Sequence, residues 1–126
     1  PNDLRYTQTD EWIMLADDSV TVGITDYAQD QLSDIVYVEL PAVGETFKQD
    51  DVIATVESVK AAADVHVPVG GTVTELNITL EDAPEKVNND PYGESWFIKL
   101  TPSNPAEIES LMDAEAYERY CAARDD

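Results

Sequence analysis

The chain has 126 residues, 43% of them apolar, with a formal net charge of −20 and a sequence pI near 4.1. That length suits a single domain, 1–126, with one core, and the apolar share suits a folded chain. The charge excludes ready binding to nucleic acid or anionic membranes and favours basic-faced protein partners, or else a solvated surface adapted to high salt.

No apolar run is long enough to cross a bilayer, and no basic segment followed by an apolar stretch opens the chain. The first residue is Pro1 rather than Met, so removal of an upstream segment is expected. Cys121 is the only cysteine, which rules out an intrachain disulfide and a cysteine metal site and fits a reducing compartment.

In chain order, Glu11 to Leu15 and Val20 to Ile24 read as a β-hairpin turned at Asp17-Asp18-Ser19. Thr25-Asp26 can cap a short helix running to about Asp34, with Ala28, Leu32 and Ile35 as its inner stripe. Ile35 to Leu40 is the strongest strand signal, ended by Pro41, and Val43-Gly44-Glu45 reads as a turn. Val52 to Glu57 and Asp64 to Val67 read as strands flanking a turn that holds Lys60. Ala61-Ala62-Ala63 has helix propensity, but the β-branched flanks favour a hairpin.

Pro68 to Gly71 forms a further turn, followed by a strand over Thr72 to Leu76. Residues 81–94 are polar and rich in Asn, Pro and Gly, which predicts a long loop, and Ser95 to Leu100 is the last strand. Asn104 can cap a C-terminal helix with Pro105 at its first position and Ile108, Leu111 and Met112 as its apolar stripe. A second helical stretch starts near Asp113, with Tyr117 and Tyr120 on one face. Residues 41–57 and 64–76 echo one another, each holding a Pro, a turn Gly and a Val-rich strand, as two pseudo-symmetric hairpins would.

Catalytic signals are weak. His66, the only histidine, alternates with Val65 and Val67 and reads as a surface strand residue. With one His and one Cys there is no convincing nucleophile–base pair, and no glycine-rich phosphate loop is present. The spacing of the carboxylates selects neither a catalytic pair nor a metal site. A lysine at a hairpin tip among small residues can instead be modified and present a cargo, which points to a carrier.

Glu57-Ser58-Val59-Lys60-Ala61, with Gly44 upstream and Gly71 downstream, resembles the lipoyl-attachment pattern; biotin carriers usually have Met on both sides of the lysine. Thr21 to Gln29, Asp34 to Pro41, Val87 to Gly93 and Asp113 to Tyr117 extend the likeness. From about Tyr6 to Tyr120 the chain resembles the H-protein family of the glycine cleavage system. That resemblance implies a mainly β (α+β by content) fold: a lipoyl/biotinyl-type flattened β-barrel sandwich with a short N-terminal-side helix and C-terminal helices.

It also implies a non-catalytic carrier with lipoate attached through the Lys60 amine and Glu57 recognised during lipoylation. The arm would take an aminomethyl group from glycine decarboxylase, pass its one-carbon unit to tetrahydrofolate through an aminomethyltransferase, and be reoxidised by dihydrolipoamide dehydrogenase. Lipoate-attaching enzymes complete the expected partners. A relay of lipoyl groups to 2-oxo acid dehydrogenases is the alternative carrier role. A cleft that shelters the loaded arm would match Thr9, Glu11 and Asp64. Many family members read His-Glu-Trp where this chain reads Asp10-Glu11-Trp12, so the extra carboxylate either tightens an amine site or faces solvent. A monomer is expected, in a prokaryotic cytoplasm or, in a eukaryote, the mitochondrial matrix. An autonomous acidic hydrolase and a purely structural adaptor are the readings from other classes.

Overall fold

The computed structural model describes residues 4–16, 19–93, 95–104 and 106–124. Alternating apolar residues build two packed sheets. The larger draws on β1 (Arg5–Tyr6), β2 (Glu11–Ala16), β3 (Ser19–Ile24), β5 (Thr46–Phe47), β8 (Gly71–Leu76) and β9 (Ile98–Pro102), in the order β1-β2-β3-β9-β8-β5. The smaller holds β4 (Ile35–Glu39), β6 (Val52–Ser58) and β7 (Ala62–His66), in the order β4-β6-β7. Every pairing is antiparallel. Val20, Val22, Ile98 and Leu100 of the large sheet meet Val38, Ile53, Val56 and Val65 of the small one in a single core. This is the expected mixed fold of a lipoyl/biotinyl-type sandwich with flanking helices.

The expected hairpin β2–β3 is in register from Glu11↔Ile24 to Ala16↔Ser19, while Asp17 and Asp18 of its expected turn lie outside the described residues. Gly23 lies where β3 passes under Trp12: a Cβ there would sit 2.6 Å from the indole ring, so only glycine lets the tryptophan lie flat on the strand. Gly44 has φ +94°, which its turn requires. The sequence echo also has a structural counterpart. Residues 41–57 and 64–76 each give one strand to each sheet, with β5 paired to β8 and β6 paired to β7.

Helix α1 (Asp26–Leu32) is capped by Thr25, whose hydroxyl accepts the Ala28 N–H at 3.2 Å. It stops at Leu32 because Ser33 turns to φ 70°, and Ile35 therefore belongs to β4 rather than to the helix stripe. Towards the C-terminus, Asn104 caps α4 (Ala106–Glu109) through the Ala106 N–H, and Asp113 caps α5 (Ala114–Arg124) through the Ala116 N–H. Pro105 lies outside the described residues.

The long loop predicted over 81–94 is a correction. The end of α2 (Thr79–Asp82) and the whole of α3 (Lys86–Asn89) fall within it, and each helical turn is plugged into the core by one fully buried side chain, Leu80 and Val87. Two isolated apolar residues show no periodicity, so polar composition alone suggested a loop. The last strand is also displaced, beginning at Ile98 rather than Ser95, because Ser95 turns its hydroxyl to Lys86 O at 2.6 Å. Replacing Leu80 by Ala is expected to cost about 2–5 kcal/mol in urea unfolding. Ile78→Ala, at a residue 63% exposed, should stay within about 0.5 kcal/mol.

Candidate functional site

The hairpin reading of the lysine turn holds: Val59, Lys60 and Ala61 connect β6 to β7, and Ala62 and Ala63 lie in the strand. Ser58 closes the turn. Its N–H and its hydroxyl both donate to Ala61 O, at 2.7 and 2.9 Å, and Oγ accepts from the N–H groups of Lys60 and Ala61 at 3.2 and 2.9 Å. The Val59 N–H donates to Asp34 O at 3.0 Å, fastening the tip to the α1–β4 junction. With its backbone committed, the tip projects the exposed Lys60 side chain, which makes no hydrogen bond or ion pair among the described residues. Glu57 is also exposed, on β6 opposite Ala62.

Thr9, Glu11 and Asp64, from two different sheets and a connecting loop, line one cavity of about 170 Å³. Ala28, Gln31 and Leu32 of α1 close it on one side, and Val56, Ala63 and Val65 on another. Asp64 is four residues beyond Lys60, so at about 3.3 Å per strand residue it lies within about 13 Å of the lysine along the chain.

Glu11 is only 1% exposed. Its Oε1 accepts the Thr7 hydroxyl at 2.6 Å and the Thr9 hydroxyl, while Oε2 accepts the His66 N–H at 3.1 Å. Burial raises its pKa above the ordinary 4.5, and the hydroxyls of Thr7 and Thr9 and the His66 N–H work against that rise by favouring the ionised form.

His66 lies between buried Val65 and Val67 and keeps 34% of its side chain exposed, as a surface strand residue would, but its inner edge meets Glu11. The ring Nδ1 is buried without a hydrogen bond, 3.8 Å from Glu11 Oε2. Sequence reasoning also missed Thr7, whose hydroxyl both donates to the carboxylate and accepts the Glu11 N–H at 3.0 Å. No sequence signal marked it, since its role depends on the burial of Glu11.

Asp10 lines the same cavity in the left-handed region, φ 73°, which Asp tolerates better than most residues. Its carboxylate accepts the Tyr117 hydroxyl at 2.8 Å, and that hydroxyl is also 2.7 Å from Thr25 Oγ1. The added acid is thus tied to α5 rather than simply solvated. Burial, above all, raises the Tyr117 pKa, and the Asp10 hydrogen bond and charge add to the rise.

The raised pKa of Glu11 has a stability consequence. The fold favours the protonated acid, so this contribution is fully present below pH 4.5 and is lost as pH rises through the higher folded value. Glu11→Gln, which keeps the shape without the charge, should therefore raise the melting temperature at pH 7, with the gain shrinking towards pH 4. A gain that persists or grows on acidification would contradict this.

Comparison with known proteins agrees with this architecture. The family described as Glycine cleavage H-protein matches residues 4–124. A glycine cleavage system H protein of Psychrobacter sp. (strain PRwf-1) is 55% identical over 119 residues, covering 94% of each chain. One from Thermus thermophilus is 51% identical over 118 residues, covering 94% of this chain and 92% of its own. The crystal structure of a glycine cleavage system H protein from Mycobacterium marinum aligns with TM-score 0.87 at 34% identity, over 100% of this chain and 99% of that one. Matched along nearly its whole length, the chain belongs to the glycine cleavage H-protein family.

Proposed function

We propose that Lys60 is the lipoylation site of this shuttle protein and that the Glu11 cavity shelters the cargo on its arm. The chain itself is a carrier and not a catalyst, as its family membership shows. One observation supports the finer reading most: an exposed lysine on a hydrogen-bonded hairpin tip, on the same strand pair that walls a cavity with a buried carboxylate.

The residues suit the group. The Lys60 amine is accessible for amide formation, and the exposed Ala61 and Ala62 beside it leave room for an attaching enzyme. Glu57, exposed three residues earlier, offers that enzyme a charge to recognise. When bound, lipoate supplies a disulfide ring whose opened sulfur takes up the aminomethyl unit and whose thiols are later reoxidised.

The protein's part is binding and exclusion of water. Glu11 holds a negative charge where a cationic amine can meet it, and Thr9 and Asp64 add acceptors at the same cavity. The apolar walls from Val56, Leu32 and Val65 would keep water from a hydrolysis-prone cargo held in the cavity. In this reading the arm visits glycine decarboxylase, an aminomethyltransferase and dihydrolipoamide dehydrogenase, after loading by a lipoate-attaching enzyme, and the carrier works as a monomer in a prokaryotic cytoplasm. The bacterial sources of the similar proteins support that setting.

Incubation with lipoate, ATP and a lipoate-attaching enzyme should add one lipoyl mass, mapped to Lys60 by peptide fragmentation, and Lys60→Arg should take none. An adduct elsewhere, or none where a control lipoyl domain is modified, would overturn the assignment.

A further inference from the structure

Helix α1 serves two cavities. At 3.6 residues per turn, Ala28 and Leu32 share one side of it and Asp26 and Asp30 lie about 200° round on the other. The first pair helps to close the arm cavity. The second borders a larger cleft, about 400 Å³, between α1 and α5.

The walls of this cleft are aromatic, from Tyr6, Tyr27, Tyr92 and Tyr117. Two of the hydroxyls are held in place. Tyr92 accepts the Asp26 N–H at 2.9 Å, and Tyr117 is engaged by Thr25 and Asp10. The Tyr6 and Tyr117 rings stack with centroids 4.7 Å apart, so the inner wall is rigid. Asp26, Asp30 and Glu118 add three carboxylates, and no lysine or arginine lines the cleft among the described residues. The Asp26 carboxylate accepts from Gln29 Nε2 at 2.7 Å. Asp30 and Glu118 have no hydrogen bond or ion pair among the described residues.

Tyr6 and Tyr117 are buried and form the floor, while the half-buried rings of Tyr27 and Tyr92 beside uncompensated carboxylates form an environment for a guanidinium or ammonium group: the rings attract the cation and the acids accept its hydrogen bonds. The positive end of α1 does not oppose this, because Asp26 sits in the first turn and Tyr92 takes its own N–H. A protein-borne cation fits better than a free one, since a net charge of −20 draws in a basic surface as a whole. The cleft and the arm cavity are also separated by only one helix, about 10 Å across.

We propose that the tyrosine cleft between α1 and α5 docks an arginine or lysine side chain of an enzyme that acts on the arm, and so sets that enzyme beside the arm cavity. The link to the arm rests on the carrier reading above; the cleft geometry does not.

The test uses the unmodified chain, so that binding does not depend on lipoylation. Glycine decarboxylase, the aminomethyltransferase and dihydrolipoamide dehydrogenase are each titrated with wild type and with the double variant Asp30→Asn, Glu118→Gln. Both side chains are exposed, so the fold should be kept, and an unchanged melting temperature checks it. Docking predicts that Kd for at least one enzyme rises about tenfold in the variant, as for loss of a close charge pair. The difference should shrink as salt rises. Acetyl-arginine amide at millimolar concentration should shift the Tyr27 and Tyr92 resonances of wild type and not of the variant.

Equal Kd values for wild type and variant with all three enzymes would overturn the proposal, as would no binding by wild type at low salt. A weakened Kd together with failure of Lys60 to take lipoate would sink the carrier reading while leaving the docking cleft standing.

Discussion

A carboxylate buried between two sheets is the constraint around which this molecule is arranged. Glu11 belongs to β2 of the large sheet, yet its Oε2 is bound by the backbone N–H of His66 in β7 of the small one. Withdrawing such a charge from water costs on the order of several kcal/mol unless it is well partnered. The loop before it is wound to provide partners. The Thr7 N–H donates to Glu11 O, the Thr7 hydroxyl takes the Glu11 N–H, and Asp10 adopts a left-handed conformation so that the chain can close. The molecule thus seats a carboxylate where burial raises its pKa, an arrangement of little use for stability but in keeping with the proposed shelter for a cationic cargo.

The lysine turn is built on the same frame. Strand β7 carries the exit of the turn at one end and Asp64 and His66 at the other, so tip and cavity are parts of one hairpin. The Val59 N–H bond to Asp34 O ties that hairpin to the segment leaving α1, and α1 in turn covers the cavity. A long flexible side chain is thereby set on a rigid base, with the Glu11 cavity on the same base. Tyr117 extends the frame to α5 by holding both Thr25, the cap of α1, and Asp10.

Most of the sheet architecture was legible because apolar and β-branched residues mark the strands. The alternation of Val20, Val22 and Ile24, and the β-branched run from Val52, state their positions directly. The Thr25 and Asn104 caps were legible from side-chain chemistry. Leu80 and Val87 were not, since a single buried residue in a polar segment has no period. The burial of Glu11 could be read only through resemblance, because an acid in a strand ordinarily faces water. The contact of His66 with Glu11 was hidden for the same reason: alternation gives the face of a strand but not what lies across from it. The two faces of α1 emerge only once α5 is seen packed beside it.

The central claim is that the buried charge of Glu11 shelters the cargo, and the lifetime of that cargo tests it most directly. Lipoylated wild type and Glu11→Gln would be loaded with the aminomethyl unit, and release of formaldehyde and ammonia followed in buffer without partner enzymes. The account predicts markedly faster loss from Glu11→Gln, although the variant keeps its fold and its lipoylation. Equal lifetimes would mean that the carboxylate serves the sheets alone and that the cargo is protected elsewhere or not at all.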